Sequence, residues 1–183
     1  MKKKLIIFLL AFVLVGCGKT SQKETVKENQ KVQNEKDRSS KKSKGRKLKK
    51  NERISKIGEP IKLKESTVTI KKVEKIFDKD NKPSINVIYD WVNESSEKES
   101  PNATALIDLL QNKMLTKMNN NFDQDKLSLD EERTQVEPKK KIEGLNRIFF
   151  LYNEKDSLTL RIDDPETHDD TITYYIDVDI NSL

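Results

Sequence analysis

The chain has 183 residues, one cysteine and a formal net charge of +5, from 36 basic and 31 acidic side chains. A single cysteine rules out a disulfide within the chain, and none of the five glycines sits in a phosphate-cradling loop. The net charge conceals a division: residues 1–17 carry +3, residues 18–56 carry +10, and residues 57–183 carry −8.

Lys2, Lys3 and Lys4 precede an unbroken apolar run from Leu5 to Val15, followed by Gly16 and Cys17. A basic start, a short apolar stretch and a small residue before the cut make a secretory signal. The eleven residues of the run rise only ~16 Å as a helix, whereas a membrane span needs about 20 residues. Cys17 at the first position after the cut makes Leu14-Val15-Gly16-Cys17 a lipobox, with the thiol as acceptor for a diacylglyceryl group. Two acyl chains hold a protein stably at a membrane. The thiol is thereby consumed, which removes thiol catalysis and cysteine metal ligation. The expected location is the extracellular face of the cell membrane.

Residues 18–56 hold 15 basic and 5 acidic side chains, no aromatic residue, and only Val26, Val32, Leu48 and Ile54 as apolar ones. Such a segment cannot offset its ordering entropy, so a disordered tether is expected over residues 17–56. Its most basic part offers Lys41, Lys42, Lys44, Arg46, Lys47, Lys49 and Lys50 to an anionic lipid or wall polymer. The alternative is a self-repelling spacer. Nucleic acid is not expected, because no aromatic side chain is present to stack on bases.

Residues 57–183 are the usual size for one core. Val68 to Phe77 reads as a strand whose alternation breaks at Lys71-Lys72, where a bulge restores the facing. Ser84 to Asn93 places Ile85, Val87, Tyr89 and Trp91 on one face. Residues 105–118 are ambiguous: Leu106, Leu109, Leu110, Met114 and Met118 have helical spacing, while Ala105, Ile107 and Leu109 alternate as in a strand. Ser128 ahead of Asp130, Glu131 and Glu132 resembles a capping box. Ile148 to Tyr152, then Leu158, Leu160 and Ile162, then Ile172, Tyr174, Ile176, Val178 and Ile180 supply further strands. Turn-forming runs at 78–83, 153–156 and 163–166 separate them. Short strands at this spacing predict an all-β sandwich.

Several groups carry possible chemistry. Asp163, Asp164, Glu166, Asp169 and Asp170 surround His168, the only histidine, and could bind Ca²⁺ through oxygen ligands. Irregular spacing and the lack of a turn glycine favour a solvated acidic loop instead. Asn121 to Asp125 with Glu132 at the twelfth place has an outline of a calcium loop, but Lys126 stands where glycine is required. Ser95 and Lys98 fit an S-x-x-K pattern without its companion motifs. Nothing places two carboxylates across a cleft for glycoside hydrolysis.

Trp91-Val92-Asn93-Glu94-Ser95 closing a strand, Gln111-Asn112-Lys113-Met114-Leu115 after the next, and Val136-Glu137-Pro138 before a later one form a recognisable layout. Over residues 58–180 the chain resembles the immunoglobulin-like domains of unknown function in lipoproteins of Gram-positive bacteria. It departs from them at Lys113 and Lys139, where those families tend to have glycine. The resemblance implies strands on both sides of Gln111, a sandwich with Trp91 as core anchor, and no established catalytic residue.

The expected protein is a lipid-anchored, non-enzymatic lipoprotein with an immunoglobulin-like antiparallel β-sandwich and no cofactor, binding an unknown protein partner or a cell-envelope component. The alternatives are an acidic Ca²⁺-binding module, or an immunity or inhibitor lipoprotein acting against a basic toxin or wall hydrolase.

Overall fold

The computed structural model describes residues 47–166 and 170–183. Cys17, Lys41, Lys42, Lys44, Arg46, His168 and Asp169 lie outside the described residues.

In chain order the elements are β1 (Glu52–Ile54), β2 (Pro60–Lys62), β3 (Ser66–Phe77), β4 (Pro83–Asn93), a single helical turn α1 (Pro101–Thr104), β5 (Leu106–Gln111), β6 (Met114–Leu115), β7 (Lys141–Phe150), β8 (Leu158–Asp163) and β9 (Thr173–Val178). They form two sheets, ordered β1-β9-β8-β5-β6 and β2-β3-β4-β7. All pairs are antiparallel except β1 with β9. The molecule is the β-sandwich expected from the strand periods.

Alternation sets the faces. Val68, Ile70, Val73, Ile85, Val87 and Trp91 turn inward from one sheet and meet Ile107, Leu109, Leu160, Ile162 and Ile176 from the other. Each fully buried aliphatic side chain contributes roughly 1.5–3 kcal/mol. The break at Lys71 is a register shift between Ile70 and Lys72, and it returns Val73 to the core face. Trp91 is fully buried, and its indole N–H donates to Thr104 Oγ1 at 3.0 Å. That bond gives α1 its place: Ser66 Oγ donates to the Thr104 carbonyl at 3.0 Å.

One local ambiguity is settled and two local expectations change. Within residues 105–118 the regular elements are the strands β5 and β6: Ile107, Leu109 and Gln111 face inward, and the helically spaced Leu106 and Leu110 occupy the half-buried outer face. Residues 131–133 form a 3-10 turn, yet Ser128 does not cap it; its Oγ accepts from the Asn146 N–H at 3.1 Å instead. The ordered domain also begins earlier than residue 57, because Glu52–Ile54, assigned above to the tether, pairs in parallel with Thr173–Tyr175. A three-residue strand with one apolar side chain has no readable period; its partner edge defines it.

Asn112 and Lys113 have φ values of 49° and 68°, so β5 and β6 are joined by a two-residue turn in the left-handed region. Lys139, after Pro138, has φ 64°. Both departures from the resembled families therefore sit where glycine is favoured sterically. Lys113→Gly is expected to stabilise the fold by about 1 kcal/mol, read from chemical denaturation.

Candidate functional site

The outer face of the four-stranded sheet carries a half-open pocket of about 290 Å³, lined by Glu74, Ile76, Phe77, Asn86, Phe122, Lys126, Asn146 and Ile148. Strand register builds its floor: Glu74 stands opposite Asn86, and Asn86 opposite Ile148, all directed away from the core. The wall comes from the long connection between β6 and β7. There Asn119 Nδ2 donates to Asp78 Oδ2 at 3.0 Å and to Ser84 Oγ at 2.9 Å, and the Lys79 N–H donates to the Asn121 carbonyl at 3.1 Å. Phe122 is thereby packed in, at 8% exposure. Asp78 also accepts from the N–H groups of Asp80 and Lys82 across the β3–β4 turn. The Asn119 hydrogen bond leads the effects that hold its carboxyl below the usual range. On the far side, Asn146 Nδ2 donates to the Lys126 carbonyl at 2.9 Å and fixes the chain after Phe122.

Within the pocket, Asn86 Nδ2 donates to Glu74 Oε1 at 3.1 Å, while Asn86 Oδ1 has no partner. Glu74 pairs with Lys72 at 2.5 Å, which lowers its pKa and keeps it ionised at neutral pH. The site thus combines two isoleucines and two phenylalanines with the Glu74 carboxylate, the Lys126 and Asn146 side chains and one unsatisfied carbonyl. That set suits binding of a group with an apolar body and a hydrogen-bond donor.

A second cluster lies between the sheets. Glu132 accepts from the Tyr89 hydroxyl and pairs with Arg147 Nε at 2.6 Å, and Arg147 Nη1 donates to the Ile107 carbonyl at 3.3 Å. The three side chains are 0%, 5% and 7% exposed in the order Tyr89, Glu132, Arg147. Burial pushes the Tyr89 hydroxyl far above its ordinary pKa, so it keeps its proton. Glu132, the twelfth place of the supposed calcium loop, is therefore a core ion-pair partner. Asp123 of that loop pairs with Lys79 at 2.9 Å. Glu132→Ala is expected to cost about 3–5 kcal/mol by leaving a buried guanidinium uncompensated. Combining Glu132→Leu, Arg147→Met and Tyr89→Phe should recover most of that loss in equilibrium unfolding.

The other residues singled out in the sequence are dispersed. Ser95 Oγ donates to the Glu97 carbonyl at 2.8 Å, while Lys98 pairs with Glu137 at 2.6 Å, so no Ser–Lys pair forms. Lys47, Lys49 and Lys50 are exposed, and the Lys50 carbonyl accepts from Arg53 at 2.7 Å in the turn entering β1. Asp164 Oδ1 accepts from the Lys64 N–H at 2.9 Å; Glu166 and Asp170 are exposed. Among the described residues, no three His, Cys, Asp or Glu side chains are placed to hold a metal ion. Asp163 is buried at 5% exposure, with Oδ1 unpartnered and Oδ2 3.7 Å from Arg161 Nε. Burial raises its pKa; Asp108 and Asp164 add to the rise, and Arg161 opposes it. Ionisation therefore destabilises the fold above the raised pKa, and protonation relieves the penalty below it. Asp163→Asn is expected to raise the melting temperature at neutral pH, with the gain fading in acid.

No curated protein matches the chain. In fold it is similar to an uncharacterised β-sandwich protein from Clostridium difficile 630, at 14% identity and a TM-score of 0.52 over 74% of this chain and 100% of that one. It is also similar to a candidate lipoprotein from Staphylococcus aureus subsp. aureus NCTC 8325, at 16% identity and a TM-score of 0.56 over 69% and 91% of the two chains. At these identities the likeness is one of fold. The family model for the domain of unknown function DUF5067 matches residues 41–164, and the chain belongs to that family.

Proposed function

We propose that the protein is a lipoprotein anchored through Cys17 at the outer face of the cell membrane, with its sandwich serving as a non-catalytic binding module. The leader supports the anchor: a basic start, an apolar run too short to span, and the lone cysteine at the cut. No helix among the described residues is long and apolar enough to cross a membrane. The observation that carries the binding role is the outer-face pocket, where apolar side chains meet an unsatisfied carbonyl. The buried ionisable groups Tyr89, Glu132 and Arg147, by contrast, are engaged with one another away from solvent. The partner is a protein or an envelope component, and the basic tether supplements the anchor by contact with anionic lipid or wall polymer.

Cys17→Ser is expected to move the protein from the membrane pellet into the soluble fraction and to abolish labelling by a palmitate analogue. In-cell crosslinking of the full chain, beside a version that stops at Arg46, tests the module. Partners lost with residues 47–183 support it; partners retained by the tether alone would transfer the function to the basic segment.

A further inference from the structure

β2 covers β3 only at Thr67–Thr69, and the Gly58 N–H closes on the Ile70 carbonyl at 2.7 Å. Beyond the bulge, β3 continues to Phe77 with β4 on one side and, among the described residues, no strand on the other. Unpaired edges are templates for another strand, and proteins blunt them with lysines and bulges. Here Lys71 and Lys72 do so at the start of the free stretch and Lys75 within it, where it is drawn to Glu154 at 2.7 Å. Lys71 and Lys72 flank the register shift and are drawn to Asp90 and Glu74 at 3.8 Å and 2.5 Å. Val73 to Phe77 stays in regular register with β4 and ends on a phenylalanine that is 53% exposed. The same stretch contributes Glu74 and Ile76 to the pocket. A free edge beside a side-chain pocket is the arrangement by which strand addition gains affinity from the backbone and specificity from one residue.

We propose that the β3 edge and the adjoining pocket together receive an extended segment of a partner protein bearing a tyrosine or tryptophan; this rests on the binding-module reading. Asn86 specifies the side chain. It is 8% exposed, Glu74 holds its amide nitrogen, and Oδ1 is the atom left over. An acceptor of this kind is satisfied by a hydroxyl or indole N–H, not by a phenyl or aliphatic group. Ile76 and Ile148 then lie under the ring and Phe122 beside it, an apolar seat for an aromatic with one polar tip. A second copy of this chain fits less well, because its β3 offers Phe77 as the one aromatic and no tyrosine or tryptophan.

The test selects a displayed random-peptide library on the full chain in detergent. The best peptide is then compared with its phenylalanine version and its backbone N-methylated version. Selection should enrich tyrosine or tryptophan between β-branched residues. Loss of the side-chain donor, N-methylation, and Ile76→Arg should each weaken binding on the order of tenfold. Asn86→Leu should weaken binding similarly while raising the melting temperature, since it removes a buried, unsatisfied acceptor; a damaged fold would lower it. Peptides without an aromatic, binding indifferent to Ile76→Arg or N-methylation, or a chain dimer abolished by Ile76→Arg would overturn the assignment. If in-cell partners require residues 47–183 yet ignore Ile76→Arg, the edge falls while the binding module stands. If no partner requires the domain, both fall.

Discussion

The Glu132–Arg147 ion pair fixes how the two sheets are closed on each other. Arg147 comes from β7 in one sheet and reaches the Ile107 carbonyl of β5 in the other, while Glu132 comes from the crossing connection. Two charges in a core are tolerable only when their remaining hydrogen-bonding capacity is used. Tyr89, Ile107 and the pair itself supply that use, with the guanidinium 5.9 Å from the Tyr89 ring centre. The connection from β6 to β7 is thus pinned from inside at Glu132 and on the outer side at Asn119 and at Lys126, whose carbonyl accepts from Asn146 of β7. Phe122 lies between those two outer pins, which hold the pocket wall while Glu132 ties the same connection to the core.

The sequence revealed the parts of this structure that repeat at short range. Ile85, Val87, Tyr89 and Trp91 announced β4, Leu158 to Ile162 announced β8, and the interruption at Lys71 announced the bulge. Residues 105–118 were ambiguous for a physical reason: Leu106 and Leu110 are apolar on the outer face, which blurs a period of two into one that also suits a helix. β1 was unreadable because three residues pairing in parallel with a distant strand carry no local signal. The pocket was hidden for a similar reason. Its residues come from β3, β4, β7 and a loop, and Ile76 and Ile148 read locally as ordinary strand residues. Glu132 was visible only as a member of an acidic run; its partners are Tyr89 and Arg147, 43 and 15 residues away.

The positions of positive φ carry a local cost. Lys113 and Lys139 stand in left-handed conformations that suit glycine better than lysine. At Lys139 the side chain offers something in return, since its ammonium lies 2.9 Å from both the carbonyl and the carboxylate of Glu94. At Lys113 no such contact is formed among the described residues. The strain there is borne by the turn itself and offset by the core behind it.

The parallel pairing of β1 with β9 has a mechanical consequence. For a chain held from its N-terminal side, tension enters the domain through Glu52–Ile54 along the strand axis, so the β1–β9 bonds are loaded together in shear and not unzipped singly. None of the three residues belongs to the hydrophobic core, and Ile54 is half exposed. Overload would therefore strip β1 from the sheet edge and pay out the chain as far as β2, at most roughly 28 Å for the eight residues from Glu52 to Glu59. The two packed faces would stay closed, making β1 a sacrificial link at the N-terminal edge of the folded module.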